Sequence, residues 1–244
     1  TCAITLANTL QCWGSNAFGQ VGISTPSQLL EPTDVLLDGQ TFYVSAVETG
    51  GNHTCAINTT HALYCWGSNS NGQLGIGSQT DSATPKLVIG DLKINDVATG
   101  DAHSCAIIDG EATRYANGEI EGFGGTFCWG ENVYGQLGIG TNLDKNTPTR
   151  SVWGSSFGAL IFAGEHHTCV HHSQETLLES PWLSEIEGHV KCTGDNRFGQ
   201  LGDNSLDSNT DWVETQYLDI TNSVVFQGKV TVGWNHNCGL LGEY

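Results

Sequence analysis

Four histidines recur at one position of a repeated motif, and they are the residues whose type and spacing are suited to chemistry. The motif is Gly-x-x-His-x-Cys, and its histidines are His53, His103, His167 and His236. Converging imidazoles can ligate a metal or act as bases. Catalytic groups are seldom duplicated in every repeat, so recurrence favours a histidine that hydrogen-bonds the backbone of the neighbouring repeat. Extra histidines in His166-His167 and His171-His172 leave metal binding as the alternative.

Cysteine is the second recurring chemical group. Eight of the nine cysteines pair by repeat position, as Cys2/Cys12, Cys55/Cys65, Cys105/Cys128 and Cys169/Cys192. Cysteines on facing positions of neighbouring strands suit a disulfide, which predicts four disulfides and an oxidising compartment. Zinc is the alternative, but two cysteines and one nearby histidine lack the four ligands of a structural site. Free thiols are the other alternative, and Cys238 is predicted to be unpaired.

Other patterns give little support for catalysis. The sequence has no Ser/His/Asp, Cys/His, paired-carboxylate, GxGxxG or P-loop constellation that stands out from the repeats. Asp207-x-Asn209-x-Asp211 resembles the start of a calcium loop, but it lacks the glycine and the final glutamate, so we expect a solvated loop. We therefore predict a protein that is not an enzyme, with no catalytic, cofactor-binding or metal-binding residue.

The charge balance restricts the class of partner. There are 26 acidic and 8 basic residues, a formal net charge of −18. Nucleic acid and anionic membranes are repelled by such a surface, so a basic protein, or no charged partner, is favoured. No stretch has the roughly 20 apolar residues that a membrane span requires.

The elements that position these residues follow from a second motif, CWGSNSNGQLGIG at Cys65–Gly77. Related stretches occur at Cys12–Ile23, Cys128–Gly140 and Cys192–Gly202. Short strands separated by Gly, Asn and Pro predict an all-β protein, and a period of about 50 residues is typical of propellers. The predicted units of this single domain are 1–49, 50–99, 100–163, 164–232 and a partial 233–244.

Tryptophan is expected to anchor the packing between units. We predict that Trp13, Trp66 and Trp129 are buried at equivalent positions, and that the fourth unit lacks this anchor because it has Thr193 there. The paired signature GxxHTCA and CWGSNxxGQLGIG resembles the regulator-of-chromosome-condensation repeat family of β-propellers. That resemblance covers nearly the whole chain. It implies blades of four strands in a ring of seven, so the four to five units here suggest a fragment.

Two insertions are the predicted partner-binding region. The third and fourth cysteine pairs are 23 residues apart rather than ten, which places the insertions at Asp109–Phe127 and Ser173–Val190. Long loops on a rigid repeat scaffold commonly bind partners, and these two mix acidic with apolar residues. The predicted contact residues are Tyr115, Glu119, Glu121, Phe123, Leu177, Glu179, Trp182 and Glu185.

Glycosylation is the last predicted modification. Of the two Asn-x-Thr sequons, Asn58 is expected at an exposed hairpin turn, whereas Asn52 is expected to be packed. Together with the cysteines, this favours a secreted or surface-displayed module that binds protein or glycan, within an extracellular assembly. The resemblance implies an alternative, a guanine-nucleotide exchange factor for a small GTPase. A protein inhibitor of a secreted enzyme is the third hypothesis.

Overall fold

Strands account for the regular structure of the chain. The computed structural model describes residues 1–109, 112–114, 120–122, 124–152, 160–177, 184–215 and 224–243, with the backbone alone in 112–114, 120–122, 172–177, 184–189, 224–230 and 239–243. Within these residues there is no helix, and therefore none that is long and apolar enough to cross a membrane. The strands are β1 Cys2–Ile4, β2 Leu10–Ser15, β3 Gln28–Asp34, β4 Leu36–Leu37, β5 Gln40–Thr41, β6 Val44–Thr49, β7 His53–Asn58, β8 Leu63–Gly67, β9 Ser82–Ile89, β10 Lys93–Thr99, β11 His103–Asp109, β12 Ala112–Arg114, β13 Ile120–Gly122, β14 Gly125–Gly130, β15 Lys145–Arg150, β16 Leu160–Ala163, β17 His167–Leu177, β18 Ser184–Gly194, β19 Asn209–Glu214, β20 Val224–Val232 and β21 Asn237–Glu243.

Antiparallel sheets form the blades of a β-propeller. The four-stranded blades have the orders β6-β7-β8-β9, β10-β11-β14-β15 and β16-β17-β18-β19, and they follow a three-stranded sheet β1-β2-β3. Strands β20 and β21 pair with each other, as do β4 with β5 and β12 with β13. The expected all-β propeller class is therefore confirmed.

The blades and the sequence repeats are offset by one strand. β6 lies in the first repeat but pairs with β7 of the second, and β10 and β16 are related to their blades in the same way. Each of these blades thus takes its first strand from the end of one repeat and the other three from the next. This offset joins neighbouring repeats through strand hydrogen bonds as well as through packing.

The hydrophobic core lies between adjacent blades. One cluster joins Leu10, Val35 and Phe42 of the first repeat to Trp66 of the second. Another joins Leu74 of the second repeat to Trp129 of the third. A single blade leaves apolar faces on both sides of its sheet, so stacking in sequence order buries what each blade alone exposes.

The tryptophan prediction is partly wrong. Trp66 and Trp129 are fully buried, and each indole nitrogen donates to a backbone carbonyl of the preceding repeat, Gln20 or Gln73. Trp13 is only half-buried.

The fourth repeat does have an indole at the equivalent interface, contrary to expectation. Trp212 of β19 packs over Gly138, just as Trp129 packs over Gly75. A Cβ on Gly138 would lie 2.3 Å from the Trp212 indole nitrogen, and a Cβ on Gly75 would lie 2.6 Å from that of Trp129. Thr193 instead donates its hydroxyl to the carbonyl of Gly135 across the same interface.

All four expected cysteine pairs are disulfide-bonded. Each links directly facing residues of two paired strands, which are β1 and β2 in the first sheet and the second and third strands of each four-stranded blade, with 4.1 Å between the Cα atoms. Cys238 of β21 is exposed and free. Because a disulfide between facing residues fixes which positions are opposite each other, the crosslinks set the register of each hairpin.

A recurrent asparagine organises the loop after each CWG or CTG segment. In the third repeat the fully buried Asn132 accepts a hydrogen bond from the Leu137 amide and donates to the carbonyls of Thr141 and Leu143. Asn16, Asn69 and Asn196 make the corresponding bonds in their own loops. Recurrence of asparagine at one position of the motif is the sequence signal for this role.

Candidate partner-binding surfaces

The propeller presents two faces with different loops. Because successive strands of a blade are antiparallel, the Gly-x-x-His turns and the GQLG loops lie at one end of the blades. We call this end the turn face, and its turns begin at Gly50, Gly100, Gly164 and Gly233. The hairpins between the second and third strands lie at the other end, the hairpin face. The turns bond to one another in sequence, through Gly51 N to Gly100 O, Asp101 N to Glu165 O and Glu165 N to Trp234 O.

The repeated histidines form hydrogen bonds between blades. His53 Nε2 lies 2.8 Å from the Ser104 hydroxyl of the next repeat, and His103 Nε2 lies 2.9 Å from the Thr168 hydroxyl. The predicted structural role is correct, but the predicted partner is not. Each of these imidazoles bonds the side chain that follows the next repeat's histidine, and that side chain bonds a backbone carbonyl.

The direction of these bonds fixes the histidine tautomer. Ser104 donates its single hydroxyl proton to Gln73 O, 2.9 Å away, so it accepts from His53 Nε2–H. Thr168 donates in the same way to Gln136 O, so His103 also carries its proton on Nε2. His167 Nε2 faces Asn237 Oδ1 at 2.8 Å, an oxygen that only accepts.

The other ring nitrogen explains why these imidazoles stay neutral. Nδ1 of His53 and of His103 is buried without a hydrogen-bond partner, so a proton placed there would have no acceptor. Burial lowers the pKa of His53 to about 4 and that of His103 to about 3. Gly100 is required beside this ring, because a Cβ there would lie 2.1 Å from His103 Cε1. These histidines therefore hold neighbouring blades together through their Nε2 atoms.

The turn face carries one charged and aromatic network. His166 lies between two carboxylates, with Glu131 Oε2 3.1 Å from Nδ1 and Glu165 Oε1 3.7 Å from Nε2. The adjacent Glu131 carboxylate raises the pKa of His166. The Tyr134 ring lies 5.0 Å from the His166 ring, and the Arg197 guanidinium lies 4.6 Å from the centre of the Tyr134 ring.

These charges are largely satisfied within the network. Arg197 makes a two-point pair with Asp195, at 2.9 and 3.0 Å, and Gln136 Nε2 donates to Glu131 at 3.1 Å. The exposed aromatic side chains on this face include Phe18, Phe198 and Trp234, of which Trp234 is the most exposed at 76%. Scattered exposed aromatic residues are ordinary on a protein surface.

The hairpin face carries both predicted insertions. In the third repeat β12 pairs with β13 inside the hairpin that joins β11 to β14. In the fourth repeat, pairing of β17 with β18 continues for six residue pairs beyond the last pair that β17 makes with β16, from His172↔His189 to Leu177↔Ser184. Those six pairs span about 20 Å of paired backbone. Adjacent blades therefore carry a β-hairpin arm each at the same end.

Three of the eight predicted contact residues lie on these arms. The structure places Glu121 in β13, Leu177 in β17 and Glu185 in β18, and it describes only their backbone. The remaining five, Tyr115, Glu119, Phe123, Glu179 and Trp182, lie outside the described residues.

The ends of the predicted insertions belong to the blades. Phe127 pairs with Ala106 in the sheet, and the buried Val190 pairs with His171. Asp109, the first residue of the third-repeat insertion, lies 2.9 Å from Lys93 Nζ of the neighbouring strand, and hydrogen bonding to that lysine lowers the pKa of the carboxyl. The acidic excess of the arms thus begins after Asp109.

The two sequons differ from expectation in their exposure. The expectation that Asn52 is packed is wrong, because its side chain is exposed on the turn face. Asn58 is half-buried, since its Oδ1 accepts from the Thr60 and Ala62 amides and from the Thr60 hydroxyl, which closes the hairpin turn. Exposure therefore favours Asn52, and glycosylation of either residue stays a prediction.

Asp207 and Asp211, which resemble the start of a calcium loop, are exposed. In this loop the Ser208 hydroxyl accepts a hydrogen bond from the Asn196 amide. Asp81 and Asp144 accept the corresponding hydrogen bonds from the Asn69 and Asn132 amides. Among the residues whose side chains are described, no group of three His, Cys, Asp or Glu side chains is placed to hold a metal ion.

Comparison with known proteins identifies the repeat. The model of the regulator of chromosome condensation (RCC1) repeat matches residues 10–57, 61–107 and 124–171. The ultraviolet-B receptor UVR8 of Arabidopsis thaliana is 27% identical over 235 residues, which are 95% of this chain and 46% of that protein. The probable E3 ubiquitin-protein ligase HERC6 of Homo sapiens is 31% identical over 207 residues, 78% of this chain and 17% of that protein. The chain thus spans less than half the length of these relatives.

Solved structures agree on the fold. Yeast RCC1 (Prp20), in a crystal structure with Kap60, superposes with a TM-score of 0.73 at 17% identity, over 97% of this chain and 50% of that one. Human WBSCR16 superposes with a TM-score of 0.57 at 18% identity, over 99% of this chain and 69% of that one. At these identities the likeness is one of fold.

Proposed function

The chain belongs to the RCC1 repeat family of β-propellers, and we propose that it is a non-enzymatic module of the extracellular space or cell surface that binds a basic protein. The observation that carries this proposal is the pair of β-hairpin arms on adjacent blades at the hairpin face. Rigid repeats that bury their recurring polar groups leave such loops as the variable, accessible part of the molecule.

Protein binding is also consistent with solved relatives of the same fold. Yeast RCC1 was crystallised with Kap60, and the structure of Prp20p was described together with its binding to Gsp1p and histones. In this chain the recurring histidines are hydrogen-bonded between blades, which leaves loops, arms and net charge as the means of recognition.

Charge supports a basic partner. The formal net charge is −18, and each arm contains acidic residues, such as Glu121 in the first and Glu175, Glu185 and Glu187 in the second. Opposite charge accelerates association and disfavours acidic competitors. A glycan partner would use the same arms, and the glycosidase treatment below separates it from a protein partner. Inhibition of a secreted enzyme would be one form of protein binding by these arms.

The disulfides support an extracellular setting. Facing cysteines recur in four successive repeats, and disulfides persist in oxidising compartments. Guanine-nucleotide exchange on a small GTPase inside the cell is the competing hypothesis, and it predicts reduced thiols. Intact mass of protein from its native source, alkylated before and after reduction, decides between them. Protection of the eight paired cysteines until reduction supports the proposal, and alkylation of all nine cysteines of this sequence before reduction contradicts it.

Affinity capture with matched variants tests the binding surface. We expect the natural sequence, immobilised, to retain basic proteins from extracellular fluid and cell surfaces of its source. A variant whose third and fourth hairpins are shortened to the ten-residue cysteine spacing of the second should keep the disulfides and the fold and should lose those proteins. A control variant, Asp101→Asn with Glu165→Gln, removes charge from the turn face and should retain them.

Salt dependence and competition identify the kind of partner. Binding of a basic protein should weaken as salt is raised from 50 to 200 mM, because salt screens the attraction between exposed charges. Retention by the shortened variant with unchanged affinity would show that the arms are not the site. Loss of binding on glycosidase treatment of the captured protein would show a glycan-binding module instead.

A further inference from the structure

Two histidines lie opposite each other on the longer arm. The β17–β18 ladder pairs His172 with His189, and the pairing runs without interruption from His167↔Gly194 to Leu177↔Ser184. The Cys169–Cys192 disulfide fixes this register, because each histidine is three residues from its own strand's cysteine. The facing of the two histidines is therefore set by a covalent crosslink and not only by strand propensity.

A carboxylate residue shares their face of the ladder. Residues two apart on a strand lie on the same face, and directly paired residues lie on the same face as each other. Glu187 is two residues from His189 and is paired with Gln174, so Glu187, His189 and His172 occupy neighbouring positions of one face. The equivalent positions in the second and third repeats are Asn58↔Ala62 and Ile108↔Gly125, so neither has such a group.

This combination of residue types and spacing is suited to a transition metal. Zinc takes imidazole nitrogen and carboxylate oxygen at about 2.0–2.2 Å, with three protein ligands and water in open sites. Paired strand positions have Cβ atoms about 4.5–5.5 Å apart, a separation that two imidazoles sharing one ion require. Calcium and magnesium prefer all-oxygen ligands, so two histidines favour zinc over either. The net charge of −18 further favours a cation.

We propose that the juxtaposition of His172, His189 and Glu187 on the β17–β18 arm is a binding site for a zinc-class divalent metal ion. The site is independent of the partner-binding proposal, since it rests on the ladder alone. A bound ion would crosslink the two strands of the arm beyond the described residue pairs that β17 makes with β16 and β18 makes with β19.

Calorimetric titration of ZnCl2 into the full chain tests the site. The Cys238→Ser background is needed, because an exposed free thiol binds zinc itself. We expect one zinc per chain, a loss of affinity of at least ~100-fold in His172→Ala and in His189→Ala, and a loss of about tenfold in Glu187→Gln. His236→Ala, which changes an exposed histidine of another repeat, is the control and should bind as the parent does.

A second measurement keeps the test decisive if an alanine variant folds poorly. Co²⁺ in place of zinc should give a visible absorption typical of a four-coordinate nitrogen–oxygen site, and His189→Gln should abolish it with all four disulfides intact. Zinc affinity unchanged in both histidine variants would overturn the proposal, as would no zinc binding by the parent. Displacement of zinc by Ca²⁺ at equal concentration would also overturn it, since it would indicate an oxygen-only site.

Discussion

Replacing His103 by glutamine should flatten the acid sensitivity of the propeller. Glutamine extends a nitrogen donor to about the position of imidazole Nε2, so it can still donate to Thr168. It has no titratable group, whereas burial lowers the pKa of His103 to about 3. The substitution therefore removes a proton-linked contribution to stability while keeping the hydrogen bond between blades.

The direction of the pH effect follows from the pKa of His103 in the unfolded and folded states. In the unfolded chain its pKa is about 6.5, and in the fold it is far lower, so below pH 6.5 the unfolded state binds the proton first. Stability is then lost as the pH falls from about 6.5 towards the folded value. One such histidine contributes about 1 kcal/mol per pH unit, or about 2 kcal/mol between pH 6.5 and pH 4.5.

Urea unfolding at pH 6.5, 5.5 and 4.5, with the disulfides intact, measures the effect. The fall in the free energy of unfolding between the end points should be about 2 kcal/mol smaller in His103→Gln than in the parent. Glu48 and Asp96, whose pKa values burial raises, titrate identically in both proteins and so cancel in the difference. Parallel pH profiles for the two proteins would refute the assignment of His103 as a buried neutral imidazole.

Three further substitutions, with Trp234→Ala as a control, test the packing and loop structure by urea unfolding at neutral pH. Trp129→Ala should cost about 3–5 kcal/mol because its indole is fully buried, whereas the exposed Trp234→Ala should cost less than about 0.5 kcal/mol. Equal costs would show that the repeated tryptophan does not anchor the core. Gly138→Ala should cost at least about 2 kcal/mol, since φ is +60° there and the methyl group would meet Trp212; a cost near zero would contradict that contact. Asn132→Ala should cost about 1–3 kcal/mol by leaving the buried Leu137 amide unpaired, and unchanged stability would mean that water replaces the side chain.

Features that repeat in the sequence were predictable, because a spacing that recurs in several repeats indicates which residues face each other on neighbouring strands. Equal spacing in the first two cysteine pairs identified facing residues on neighbouring strands, and the structure joins them. Recurrence of His103 and its equivalents predicted a packing role. The partner of that histidine was not predictable, because it is a hydroxyl 65 residues away that only the stacking of blades brings near.

Features that compensate for a departure from the repeat were missed. Thr193 replaces the tryptophan of the motif, and Trp212 fills the interface from the next strand. An alignment of the repeats compares only equivalent positions. It therefore does not identify an indole that a non-equivalent position supplies to the same interface. The exposure of Asn52 was missed for a related reason, because a motif that packs its histidine was assumed to pack the residue beside it.

Hydrogen–deuterium exchange of the complex with a captured basic protein tests the central claim most directly. We predict that binding slows exchange in residues 109–124 and 172–190, which include the arms of the hairpin face, while the turns 100–103 and 164–167 exchange as in the free protein. Slowed exchange confined to those turns and to the loop 131–135 would place the partner on the turn face and contradict the account.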